Sequence, residues 1–156
     1  MRVSVLAVIG GAVLLAACQP AELNPDDPAI VAAIDSIVQE AMEGARNVDA
    51  DRVLAMAEGE GELTFITGDV VLSGLDYIRE IFRDTYSGLE SQNQTLIKKH
   101  VRILSPDVAI VIATGEGTYT DKAGWTSEPV GIGTTIVFVR ENGEWRARHA
   151  HQSIAP

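Results

Sequence analysis

From Gln92 to its C-terminus the chain reads as four long β-favouring segments, and so much non-local pairing constrains the fold more than anything upstream. The segments are expected at 95–104, 108–120, 130–140 and 144–153. Ser105-Pro106-Asp107 turns the first into the second, and a longer loop at 121–129, carrying Trp125, leads to the third. Asn142-Gly143 joins the last two and is the strongest hairpin signal present, because a type I′ turn needs positive φ at both central positions. Gly115, Gly117, Gly131 and Gly133 fall inside these segments, where glycine marks bulges or sharp bending. A sheet of this kind is expected to curl around a cavity.

The preceding stretch has helical periodicity. Asp27 before Pro28 is a start signal, a capping acceptor followed by proline at the first helical position. Ile30, Ile34, Ile37, Val38, Ala41 and Met42 then recur at helical spacing, with Gly44 as the expected stop. Asp49 caps a second, shorter helix through Val53, Leu54 and Ala57, broken by Glu58-Gly59-Glu60-Gly61-Glu62. Residues 63–67 and 70–72 around Gly68-Asp69 suggest a small hairpin. Ser73 with Asp76 is expected to form a capping box for a third helix, striped by Leu75, Ile78, Ile81 and Phe82 and ended by Gly88. Helices, a hairpin, a helix and then four long strands make an α+β order.

The N-terminus carries an address. Residues 3–17 are apolar, small or glycine and follow a single positive charge, Arg2. That run is shorter than the roughly 20 apolar residues of a spanning helix and suits a signal-peptide core. It ends in Leu15-Ala16-Ala17-Cys18, which resembles a bacterial lipoprotein lipobox, with Cys18 the thiol that receives lipid. The expected organisation is a signal peptide at 1–17, a Pro- and Asp-rich flexible tether at 18–28, and one domain at 29–156. The resemblance implies durable attachment to the lipid bilayer through several acyl chains. It also implies a cell-envelope location, with Gln19, which is not Asp, pointing to the periplasmic face of the outer membrane in a Gram-negative host. Cys18 is the only cysteine, so the fold is expected to stand on its core without disulfides.

Charge narrows the partners. With Lys+Arg 12 against Asp+Glu 22 and a net charge of −10, the surface repels phosphate backbones, and nucleic acid is not an expected partner.

The element order resembles the nuclear transport factor 2-like cone, three N-terminal helices packed on a strongly curved antiparallel sheet with a pocket at the open end. The last segment, Gly143-Glu144-Trp145-Arg146-Ala147-Arg148-His149-Ala150-His151-Gln152-Ser153, is similar to the closing strand of its SnoaL-like branch, where a Trp opens the strand and His-x-His-x-Ser ends it. The association (hub) domain of calcium/calmodulin-dependent kinase ends similarly, and His100-Val101-Arg102-Ile103-Leu104 with Asp107-Val108-Ala109 resembles the first long hairpin of that family. The hub resemblance implies an arginine after His-x-His. Here that position is Gln152, a departure that weakens any transfer of anion binding.

Strict alternation divides the last strand into Trp145, Ala147, His149, His151 and Ser153 on one face and Arg146, Arg148, Ala150 and Gln152 on the other. Two readings follow. His149 and His151, with His100, are candidates for acid-base work or for a subunit interface beside Trp145; a metal site would need more ligands than these, and none is expected. Alternatively Arg148, Tyr119 and Gln152 form a small polar group orienting a ligand in an apolar pocket that Trp125 helps to line. Glu116 and Asp121 are the candidate inward-pointing acids along the long strands, with Glu116 on the opposite face from Tyr119. Gly131-Ile132-Gly133 opens no helix and is no dinucleotide loop, and no cofactor is expected. The functions consistent with this sequence are a lipid-anchored, noncatalytic small-molecule-binding module, a ketosteroid isomerase-like or polyketide cyclase-like enzyme acting on a small apolar substrate, and a homodimeric interaction scaffold.

Overall fold

The computed structural model describes residues 23–155. The signal-peptide reading and Cys18 lie outside them. Three α-helices, α1 (Pro28–Arg46), α2 (Ala50–Leu54) and α3 (Leu75–Ser87), and one 3-10 turn (Ala55–Ala57) pack on a six-stranded sheet. Its strands are β1 (Thr64–Thr67), β2 (Val70–Ser73), β3 (Leu89–Ser105), β4 (Val108–Asp121), β5 (Val130–Glu141) and β6 (Glu144–Ala155), in the order β2-β1-β6-β5-β4-β3.

The local signals explain the element starts. The Asp27 side chain accepts from the Ala29 amide at 2.9 Å and that of Asp49 from the Arg52 amide at 3.0 Å, satisfying donors that the first helical turn leaves free. Asn142 and Gly143 sit at φ 51° and 86°, the left-handed pair that the β5–β6 hairpin needs.

Three expectations are corrected. Helix α1 passes through Gly44, which is buried where α2 crosses: a Cβ there would lie 2.7 Å from the Val53 amide nitrogen. Close helix approach, not termination, is what this glycine provides. Ser73 belongs to β2, and α3 starts from Gly74 at φ 91° without a side-chain cap, so no capping box forms. The sheet is mixed rather than wholly antiparallel, because β1 lies parallel to β6, pairing Thr64 with His149 and Thr67 with Gln152. The small hairpin thereby extends the sheet along the free edge of the last strand.

Register shifts at Leu89/Ser91, Leu96/Lys98 and Ile103/Ser105 in β3 bend the sheet around the helices. Ile34, Leu54, Ile78, Ile103, Val111 and Phe138 are at most 2% exposed and form the centre of the core between the two layers. Asp35 on α1 meets Lys99 on β3 at 2.6 Å and ties helix to strand. The core described is built within residues 23–155, so a chain begun at Gln19 retains all of it.

Candidate functional site

Inward-pointing side chains fill the concave face only at its closed end, where Phe138, Val111 and Ala147 are buried. Towards the other end the strands diverge from the helices and leave a cavity of about 590 Å³, within the usual range for small-molecule sites.

Strand register orders the lining into tiers. An inner tier crosses three strands as Thr67, Gln152 and Thr134, each paired with the next. An apolar tier follows, Ile154, Ile132, Gly115 and Leu96. The outer tier carries Gln94 opposite Gly117 and Gln92 opposite Tyr119. Helices α1 and α3 close the other side with Val38, Met42, Ile81 and Phe82. Along that wall Phe65, Phe82 and Tyr86 stack edge to face, with centroids 5.4 and 5.8 Å apart.

Apart from Glu116, the polar groups of this lining are neutral ones. Gln94 donates to the Gln92 side-chain oxygen at 3.2 Å. Burial pushes the Tyr86 phenol up, a hydrogen bond with Gln92 partly opposing it, so Tyr86 stays un-ionised at neutral pH. Among the described residues one carboxylate borders the lining, the exposed Glu116, which alternates with the inward Gly115 and Gly117, and no histidine, lysine or arginine contributes to it.

The structure therefore unites some candidates and separates others. Gln152 and Tyr119 both line the cavity. Trp125 stands outside it, 57% exposed, its ring edge-on to Tyr119 at 5.7 Å. Its loop is pinned by the Asp121 carboxylate, which accepts from the Ala123 and Trp125 amides at 2.9 Å.

Arg148 does not join Tyr119 and Gln152. The register passes from Val137 opposite His149 to Phe138 opposite Ala147, leaving Arg148 as a bulged residue. One extra residue inverts the alternation: Trp145 and Ala147 face inward before it, Ala150, Gln152 and Ile154 after it. Arg148 turns to the closed end of the cone, donating to Glu141 through Nε (2.6 Å) and to the Ala57 carbonyl through Nη1 (2.7 Å). Arg148 in turn holds the Glu141 carboxyl below its ordinary range. The Glu58 to Glu62 loop lies over this pair so closely that a Cβ at Gly61 would clash with Arg148 Nε. The sequence presents those glycines only as helix breakers; their second role depends on a contact with a distant strand.

His149 and His151 follow the bulge onto the convex face, opposite Val137 and Thr135. His100 is on the same face but three strands away, opposite Ile112. At about 4.8 Å per strand the three cannot share one ion, and among the described residues no cluster of three His, Cys, Asp or Glu has metal-holding geometry. The tiered lining of Gln92, Gln94 and Thr134 went unread in the sequence, since ordinary strand glutamines and threonines gain meaning only from a shared register.

Comparison with known proteins agrees with this architecture. Residues 29–156 match the family model for the calcium/calmodulin dependent protein kinase II association domain. A nuclear transport factor 2-like superfamily protein from Salmonella enterica superposes with a TM-score of 0.72 at 16% identity, over 82% of this chain and 92% of that one. The association domain of C. elegans calcium/calmodulin-dependent kinase II gives 0.63 at 18%, over 80% and 95%. A ketosteroid isomerase-like protein from Erwinia carotovora atroseptica gives 0.65 at 19%, also over 80% and 95%. At these identities the likeness is one of fold. No curated protein matches the chain.

Proposed function

Because this chain belongs to the calcium/calmodulin-dependent protein kinase II association-domain family, we propose that it is a noncatalytic binding module, holding a small molecule in its cone while lipid on Cys18 attaches it to the cell envelope. The observation that carries this reading is the lining of the cavity. It offers about 590 Å³ of mostly apolar space with fixed neutral hydrogen-bonding groups, which is what a binding site requires. An isomerase or cyclase would want a buried acid or base with a shifted pKa within reach of its substrate. Glu116, the carboxylate at this cavity, is exposed to water.

The envelope address rests on Leu15-Ala16-Ala17-Cys18 and on the tether that follows. Homodimerisation is the natural assembly for the convex face, where Ile112 is 47% exposed beside Ile110 and Val137, with His149 and His151 at the same seam. Apolar exposure of this kind marks an interaction surface.

Thermal unfolding of the chain begun at Gln19, measured across a panel of small apolar compounds, tests the binding reading. A saturable rise in midpoint with at least one member is expected; a panel with no effect contradicts it. Mass spectrometry of the protein extracted from membranes tests the address. A chain starting at Cys18 with added acyl mass is expected, and an unmodified Cys18 contradicts attachment.

A further inference from the structure

The cavity's charge and its tiers define the chemistry of its occupant, an inference that rests on the binding reading above. We propose that the cone takes one uncharged, elongated, mostly apolar molecule whose hydrogen-bonding group reaches the inner tier of Thr67, Gln152 and Thr134.

The first argument is electrostatic. An ionised ligand buried without a counter-ion loses more in desolvation than apolar contact returns. Three partly buried cations of the fold are committed elsewhere: Arg148 to Glu141, Lys99 to Asp35, and Arg79 to Asp51 and Asp76. None of them lines the cavity. Gln152 occupies the position at which an arginine would have served an anion, and an amide can offer a donor or an acceptor but no charge.

The second argument is from hydrogen-bond supply. In the outer tier Gln92 and Gln94 bond to each other, so part of their capacity is already used. In the inner tier the side chains of Thr67, Gln152 and Thr134 have no such partner among the described residues, although they occupy adjacent positions on β1, β6 and β5. Partly shielded amide and hydroxyl groups without partners favour a ligand that supplies them. Between the tiers stands the band of Ile154, Ile132 and Leu96, which continues across Gly115 on β4. A polar head inside and an apolar body through the band match this order.

Two dyes with one ring body test the charge claim. N-phenyl-1-naphthylamine is uncharged at neutral pH, whereas 1-anilinonaphthalene-8-sulfonate carries an added sulfonate. Fluorescence titration of the chain begun at Gln19 is expected to show saturable, blue-shifted binding of the amine at one per chain, at least about tenfold tighter than the sulfonate, which is about 1.4 kcal/mol or more. Equal or tighter binding of the sulfonate overturns the proposal and leaves the binding reading intact. Binding of neither dye overturns the binding reading, and this inference with it. For the inner tier, 1-decanol and decyl methyl ether compete with the bound amine. The alcohol is expected to win at least threefold in the wild type, and Gln152→Leu, its fold checked by circular dichroism, is expected to erase that preference. A preference retained in the variant overturns the role of Gln152.

Discussion

Gly115 shows how much a single residue decides here. A Cβ at this position would collide with the Thr95 carbonyl oxygen on the neighbouring strand, at the bulge where β3 bends. Backbone cannot swing aside as a side-chain tip can, so Gly115→Ala is expected to cost about 1–3 kcal/mol in urea unfolding; an unchanged midpoint would mean that the strands have slack. Glu141 makes a second residue-scale prediction. Arg148, by hydrogen bond first and charge second, lowers its folded pKa. Its stabilisation is therefore complete above the unfolded carboxylate value of about 4.3 and is lost as pH falls through the depressed folded value. Glu141→Gln is expected to flatten the loss of stability on acidification in that window, measured as thermal midpoint against pH. A variant as acid-sensitive as the wild type would show that the pair contributes nothing there.

The bulge in β6 assigns the two faces of the last strand. Period-two alternation reads Arg148 and Gln152 as partners and ties His149 to Trp145; with one residue looped out, Gln152 enters the cavity while Arg148 and both histidines leave it. His151→Ala is accordingly expected to leave dye affinity within about twofold, as judged by the same fluorescence titration, and a larger loss would place His151 at the ligand. Elsewhere the elements were legible to the extent that their signals are local. Asp27-Pro28, Asp49, Gly88 and Asn142-Gly143 give starts and ends that the structure repeats, because caps and tight turns are decided within a few residues. The bulge, the parallel β1–β6 pairing and the Gly44 crossing were not legible. Each is settled by a partner far away in the chain.

The whole molecule joins a closed, apolar end to an open, hollow one. The association-domain family fixes the cone, and this chain's own residues fill it at Phe138 and leave it empty beyond Ala113. The cavity lining was partly legible: Tyr119 and Gln152, which the sequence places in a pocket, line the cavity, whereas the tiers emerge only when β1, β3, β4, β5 and β6 are laid side by side. The central claim is that this hollow is where a ligand sits. Ala113→Phe adds a ring to the wall beside Thr134, at a position that lines the hollow. Native mass spectrometry of wild type and variant, each equilibrated with N-phenyl-1-naphthylamine and each folded by circular dichroism, compares their occupancy directly. One bound molecule per wild-type chain and little or none on the variant is the predicted result; equal occupancy of both would contradict the account.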